Sequence, residues 1–269
     1  MSLVETEVVG KVGWLILNRP EKLNAFNAEA LHEFEAGLDK LSKDSNVSVI
    51  VLRGEGRAFS VGYDVEDDSE YTGRARTLDD WLHLRENIEV WLKVWRSPKP
   101  VIAAIQGYCM GGATMLAVCC DITLVAEDAV IGWPSVPLGA GLIAPVSAWL
   151  IGPKKAKEMS YIVGSRMSGT EAAEWGWANY AVPADELMDR VTTMANRIAR
   201  TPSELLQVKK RAINRVMDSQ GFSEAIMAGA EFDSIAHDSQ SVDDTTDEIR
   251  EFGLKATIAR YTSDEEPSK

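Results

Sequence analysis

Residues 99–128 read KPVIAAIQGYCMGGATMLAVCCDITLVAED, with Gly111 and Gly112 adjacent between an apolar strand-like run and an apolar helix-like run. The strand PVIAAI, the short helix ATMLAVCC and the strand DITLVAED at this spacing predict an α/β architecture. Glycines at a strand-to-helix turn permit a tight bend and close helix packing. They also leave the first N–H groups of the helix, which have no partner within it, pointing at whatever lies before them. A dinucleotide-binding turn is excluded, because GYCMGGA lacks the G-x-G-x-x-G spacing.

Residues 49–65, VIVLRGEGRAFSVGYDV, repeat the logic as a strand, a glycine turn and then SVGYD, where Gly62 lets the chain expose the N–H of Tyr63. Two strand ends that aim backbone donors at one oxygen have the geometry of an oxyanion hole.

Outward from these segments, VETEVVGKVGWLILNRP predicts a hairpin about Gly10 and Lys11. Leu31, Phe34, Leu38 and Leu41 recur at helical spacing behind Asn27, a good cap. Trp81, Leu84, Ile88, Trp91 and Trp95 form one face of a long helix, read as core. In TPSELLQVKK, Thr201 as cap, Pro202 in the first helical position and Glu204 three residues on predict a capping box. Amphipathic helices then run almost to Arg260, so we divide the chain into a core over 1–200 and a helical region over 201–269.

Composition narrows the function. The 28 basic and 41 acidic residues give a net charge of −13, unsuited to a surface that lies along phosphate backbones or anionic lipid, so neither nucleic acid nor membrane is expected as partner. The N-terminus MSLVETEVVG carries no basic or apolar targeting pattern, and apolar runs are too short to span a bilayer; a soluble cytoplasmic protein is expected. Cys109, Cys119 and Cys120 lie in apolar sequence and read as small buried hydrophobes. His32, His83 and His237 have no neighbours at ligand spacing, so no metal is expected.

The blocks LILNRPEKLNAFN, GRAFSVGYDV, KPVIAAIQGYCMGGATMLAVCCDITLVAEDAVIG and EFGLK resemble, in order and over nearly the whole chain, those of the crotonase, or enoyl-CoA hydratase/isomerase, superfamily. The resemblance implies a spiral of β-β-α turns with a C-terminal helical region that builds a trimer, often paired into a hexamer. It implies a coenzyme A thioester as substrate and no separate cofactor. It places the oxyanion-hole donors at the backbone N–H groups of Tyr63 and Gly112. It also places CoA contacts at Lys22, Leu23 and Ala25, with Phe252 and Lys255 reaching the nucleotide from a neighbouring subunit.

The departures from the pattern bear on the reaction. Hydratases of the superfamily carry glutamates at the positions of Met115 and Ser135, and isomerases and dehalogenases an aspartate at that of Ile143. None of these three side chains is a carboxylate, so a general acid or base must come from elsewhere. Among the loop acids Asp64, Glu66, Asp67, Asp68 and Glu70, Asp68 is a candidate and Asp64 reads as mainly structural. His83 is a second candidate, on the flank of the tryptophan helix; Glu86, Tyr63 and Tyr108 are weaker ones. Trp133, Val136, Leu142, Ile143 and Trp149 give the matching region an apolar lining suited to a bulky hydrophobic or aromatic acyl group. The expected function is enolate stabilisation on an acyl-CoA thioester. The alternatives are hydrolysis, decarboxylation or carbon–carbon cleavage with a nonstandard base, or a silent acyl-CoA binding protein. A trimer or hexamer is the expected assembly, checked by light scattering at micromolar concentration; a monomer would contradict it.

Overall fold

The structure, a computed structural model, describes residues 2–65, 77–134, 136–139 and 144–263. The chain opens with the expected hairpin, β1 (Val4–Val9) antiparallel to β2 (Val12–Leu17). Helix α1 (Ala28–Lys43) follows; the Asn27 side chain accepts the Ala30 N–H at 2.9 Å, and Leu31, Phe34, Leu38 and Leu41 are buried as the spacing predicts.

A β-β-α unit then recurs. The first comprises β3 (Val49–Gly54), β4 (Ala58–Ser60) and α2 (Thr77–Arg96), and the second β5 (Val101–Ile105), β6 (Tyr108–Met110) and α3 (Gly112–Cys119). A third comprises β7 (Ile122–Ala126), β8 (Val130–Gly132) and α4 (Ala144–Tyr161), which kinks at Gly152. The first strand of each unit enters a six-stranded sheet, ordered β1-β2-β3-β5-β7-β10, and the second a four-stranded sheet, ordered β4-β6-β8-β9. The additional strands are β9 (Arg166–Ser168), antiparallel to β8, and β10 (Tyr180–Val182), parallel to β7. Apart from the β1 hairpin the large sheet is parallel. Val101–Ile105 is accordingly apolar and buried throughout, as a strand covered on both faces requires. This is the spiral that the resemblance implies.

Helix α5 (Gly169–Glu174) opens with a capping box, Ser168 with Glu171, unremarked in the sequence. The box expected at Thr201 is absent. After α6 (Leu187–Ile198), helix α7 (Ser203–Ser219) starts later than predicted, with Pro202 in the cap position and no side-chain cap bond. Pro202 is extended (φ −52°, ψ 136°), so its own carbonyl begins the helical ladder by accepting from Leu205 and Leu206, and Thr201 is left outside the first turn.

Helices α8 (Phe222–His237), α9 (Gln240–Phe252) and α10 (Leu254–Thr262) complete the chain. Helix α8 runs antiparallel along α2: Phe222 packs on Trp95 with ring centroids 4.3 Å apart, and His237 meets Asp80 at the opposite end. Lys210 of α7 is buried and donates to Asp121 (2.7 Å), the Val94 carbonyl (3.0 Å) and the Lys99 carbonyl (3.2 Å). Asp121 also accepts the Val101 N–H, and burial raises its pKa despite the lysine beside it. Breaking such a pair from one side typically costs about 3–5 kcal/mol, so this contact fixes α7 to the start of β5.

Candidate active site

The geometry of the site begins where β4 ends. Ser60 donates to the Asn24 carbonyl (2.7 Å) and accepts the Gly62 N–H (3.1 Å), while Val61 N–H donates to the Leu23 carbonyl (3.2 Å). Phe26 N–H donates to the Gly62 carbonyl (2.8 Å) and Asp64 N–H to the Phe26 carbonyl (2.9 Å), so residues 62–64 lie clamped along residues 23–26. That segment is itself unusual backbone: Leu23 and Asn24 both have positive φ, 53° and 57°. Asn24 holds it by accepting the Arg19 N–H and donating to the Glu55 and Ala58 carbonyls. Arg19 donates to the buried Asp64 carboxylate at 2.6 Å and to the Ala25 carbonyl at 3.2 Å, which bears out a structural role for Asp64.

The opposing wall is the glycine pair. Gly111 has φ 55° and ψ −131°, a conformation that side chains rarely adopt; its N–H donates to the Gly132 carbonyl at 3.0 Å. Its carbonyl accepts from Thr114 N–H and Oγ1. Gly112 is the first residue of α3, so its N–H has no partner within the helix. A Cβ on Gly62 (φ 90°) would lie 2.7 Å from the Gly112 nitrogen, and one on Gly112 would lie 2.7 Å from the Tyr63 ring. The glycines therefore answer two different needs, positive φ at Gly111 and close approach at Gly112.

Tyr63 is fixed from its far end. Its hydroxyl accepts the Trp91 Nε1–H at 2.8 Å, and Trp91 makes edge contacts with Phe26 and Phe34 at 5.0 and 5.6 Å. The tryptophan helix is thus core, and through Trp91 it also sets the position of the ring that covers Gly112.

Lys22, Leu23 and Ala25 belong to the segment that lies along residues 61–64 through the Leu23 carbonyl and the Phe26 backbone. Phe252 and Lys255 sit elsewhere, at the α9–α10 junction, where Phe252 is exposed and lies 5.7 Å from the Arg260 guanidinium. Met115 is buried on α3 three residues beyond Gly112, and Tyr108 is half-buried on β6. His83 is half-buried, its Nε2 3.1 Å from the buried Asn87 amide; Glu86 is exposed. Asp68, with Glu66, Asp67 and Glu70, lies outside the described residues, as do Ser135, Leu142 and Ile143. Trp133 and Val136 are buried, and Trp149 is partly exposed against Phe222. All three cysteines are buried, which pushes their thiol pKa values up, that of Cys119 to about 12; none is a nucleophile. No group of side chains able to hold a metal occurs among the described residues.

One ionic cluster had no signal in the sequence. His237 at the end of α8 lies 2.9 Å from Asp80 in the first turn of α2, and it also bonds the Leu138 backbone. Asp233, buried one turn earlier on α8, approaches Gly139 so closely that a Cβ there would lie 2.9 Å from its Oδ1. The cluster ties α2, α8 and residues 136–139 together across 157 positions of sequence.

The fold and this junction define a class, and comparison with known proteins places the chain in it. Residues 7–250 match the family model described as enoyl-CoA hydratase/isomerase. A Novosphingobium aromaticivorans DSM 12444 structure superposes with a TM-score of 0.92 at 38% identity, covering 97% of this chain and 96% of that one. An enoyl-CoA hydratase/isomerase structure from Xanthobacter autotrophicus Py2 superposes with a TM-score of 0.89 at 34% identity, covering 97% of each chain. A Dictyostelium discoideum relative, "Probable enoyl-CoA hydratase, mitochondrial", is 32% identical over 214 residues, which are 78% of this chain and 74% of that protein. The chain belongs to the enoyl-CoA hydratase/isomerase family, the crotonase superfamily.

The ionic cluster makes stability depend on pH. Burial alone would lower the His237 pKa, but the hydrogen bond and charge of Asp80, the charge of Asp233 and the Leu138 bond outweigh it and raise the pKa above 6.5. A raised pKa stabilises the fold fully below the unfolded value and loses that contribution as pH rises through the folded value. Denaturant midpoints measured upward from about pH 6.5 should therefore fall in the wild type and fall less in His237→Gln; parallel declines would exclude the cluster as the cause.

Proposed function

We propose that this protein binds an acyl-CoA thioester with its carbonyl oxygen between the backbone N–H groups of Tyr63 and Gly112, and that these donors stabilise the thioester enolate. The observation that carries this reading is the packing of Gly62 against the Gly112 nitrogen, so close that a Cβ added to Gly62 would lie 2.7 Å from it. Such contact brings two strand ends near enough for their donors to share one acceptor. Preorganised donors of this kind contribute about 10²–10³ in rate each. Family membership and the enoyl-CoA hydratase names of the relatives support a thioester as ligand.

In this reading the CoA arm lies along Lys22, Leu23 and Ala25, with Phe252 and Lys255 supplied by a neighbouring subunit of a homotrimer or hexamer. Exposed apolar side chains on α7, among them Leu205, Val208, Ile213 and Val216, are consistent with a surface that assembly would cover. Coenzyme A enters as part of the substrate, and we assign no further cofactor. No helix among the described residues is long and apolar enough to cross a membrane, and we assign the protein to the cytoplasm and to acyl-chain metabolism.

Met115 favours a reaction other than ordinary hydration. It is buried where the superfamily's hydratases keep a glutamate, and a thioether carries no proton. The second reading is therefore another reaction of the family, namely hydrolysis, decarboxylation or carbon–carbon cleavage with a nonstandard base such as His83 or Asp68, or thioester binding without turnover. Crotonyl-CoA separates these. Calorimetry should show binding, while loss of the conjugated-thioester absorbance should run well below the roughly 10 s⁻¹ of a median enzyme. Turnover at or above that rate would show that another group has replaced the glutamates, and absence of binding would overturn the thioester reading.

A further inference from the structure

Trp133 leaves β8 one residue after Gly132, the residue whose carbonyl holds the Gly111 N–H at 3.0 Å. Its backbone therefore lies beside the turn that presents the Gly112 N–H. It is 7% exposed and belongs, as Trp177 does, to the hydrophobic core of the chain, and its indole Nε1 has no hydrogen-bond partner among the described residues.

That is an expensive arrangement. Indole nitrogen is a donor only, and a buried donor with no acceptor loses its hydration without replacement. Elsewhere in this chain the rule is kept where an indole meets a polar neighbour: Trp91 donates to the Tyr63 hydroxyl at 2.8 Å and Trp95 to Asp218 at 3.2 Å. Trp177, also buried and unpaired, lies between α5 and β10 at the edge of the large sheet, with no backbone bond to the glycine pair. Of the two orphaned indoles, Trp133 is the one whose preceding residue bonds the glycine pair.

We propose that Trp133 Nε1–H is a specificity-determining donor to the acyl part of the substrate, and that this acyl group carries a neutral oxygen acceptor, a hydroxyl, in place of a plain hydrocarbon. The inference rests on the reading that the thioester carbonyl sits at Tyr63 and Gly112, because that reading brings the substrate to the glycine pair, beside which the Trp133 backbone lies. A neutral acceptor follows from the surroundings: one uncharged donor within the hydrophobic core satisfies a hydroxyl, whereas a carboxylate would be desolvated beside it without a counter-charge. The apolar lining predicted from the sequence thus acquires one polar point, which selects among acyl groups of the same length.

The test titrates wild-type protein and Trp133→Phe calorimetrically with butyryl-CoA, 3-hydroxybutyryl-CoA and 4-hydroxybutyryl-CoA, and with hexanoyl-CoA and 6-hydroxyhexanoyl-CoA. At least one hydroxyacyl thioester should bind the wild type about 3- to 10-fold more tightly than its parent, the worth of one hydrogen bond. Trp133→Phe should erase that difference. No hydroxyl preference in the wild type, or one that survives in the Phe variant, would overturn the inference and assign the indole to a buried water. If the Phe variant does not fold, the wild-type Trp133 indole resonance decides: the preferred hydroxyacyl thioester should move it downfield relative to the parent, and equal positions would overturn the inference. Failure of every thioester to bind would overturn the underlying reading as well, whereas tight binding without preference leaves that reading standing.

Discussion

The backbone contact between Gly62 and Gly112 is the constraint on which the site depends. Strand β4 and the start of α3 meet there with no room for a Cβ on either side, since one at Gly62 would lie 2.7 Å from the Gly112 nitrogen and one at Gly112 would lie 2.7 Å from the Tyr63 ring. Backbone cannot be pushed aside as a flexible side chain can. The two segments are therefore set by their own hydrogen bonds, Gly62 through Ser60 and Phe26, and Gly111 through the Gly132 carbonyl. A row of rings continues the restraint inward from Tyr63 through Trp91 to Phe26 and Phe34.

The spiral explains why these segments are neighbours at all. Each turn sends one strand to the large sheet and the next to the small one, so β4, β6 and β8 align in parallel. Their ends then present Gly62, the Gly111–Gly112 pair and Trp133 side by side. Burial of β3, β5 and β7 in the large sheet supplies the apolar free energy, while the small sheet carries the turns where backbone donors emerge. The C-terminal helices brace this arrangement from outside. Lys210 pins α7 to Asp121, and the α2–α8 pair is closed at one end by Trp95 and Phe222 and at the other by Asp80 and His237.

Much of this was legible in the sequence because it is local. Apolar runs gave β3 and β5, the spacing of Leu31, Phe34, Leu38 and Leu41 gave α1, and Asn27 gave its cap. The glycines stood out because few residues tolerate their backbone. The Thr201 cap failed for a local reason too: Pro202 is itself extended, so the helix begins behind it. What the sequence did not carry is pairing over distance. Arg19 with Asp64, 45 residues apart, is joined only by the spiral, and Asp80 with His237 only by the docking of α8 on α2. The sequence offered Trp133 as apolar lining for an acyl group, but whether its N–H has a partner depends on tertiary surroundings that no spacing encodes.

The central claim is that the Tyr63 and Gly112 N–H groups polarise a thioester carbonyl. Isotope-edited infrared difference spectroscopy of butyryl-CoA labelled with ¹³C at that carbonyl reads this directly, whatever reaction the enzyme performs. Gly112→Ala and Gly112→Pro both press on the Tyr63 ring, but only proline removes the N–H, and proline suits the first position of a helix. The account predicts a carbonyl band shifted to lower frequency on binding to the wild type, retained in Gly112→Ala and diminished in Gly112→Pro. A bound carbonyl at its aqueous frequency in the wild type, or an equal shift in folded Gly112→Pro, would contradict it.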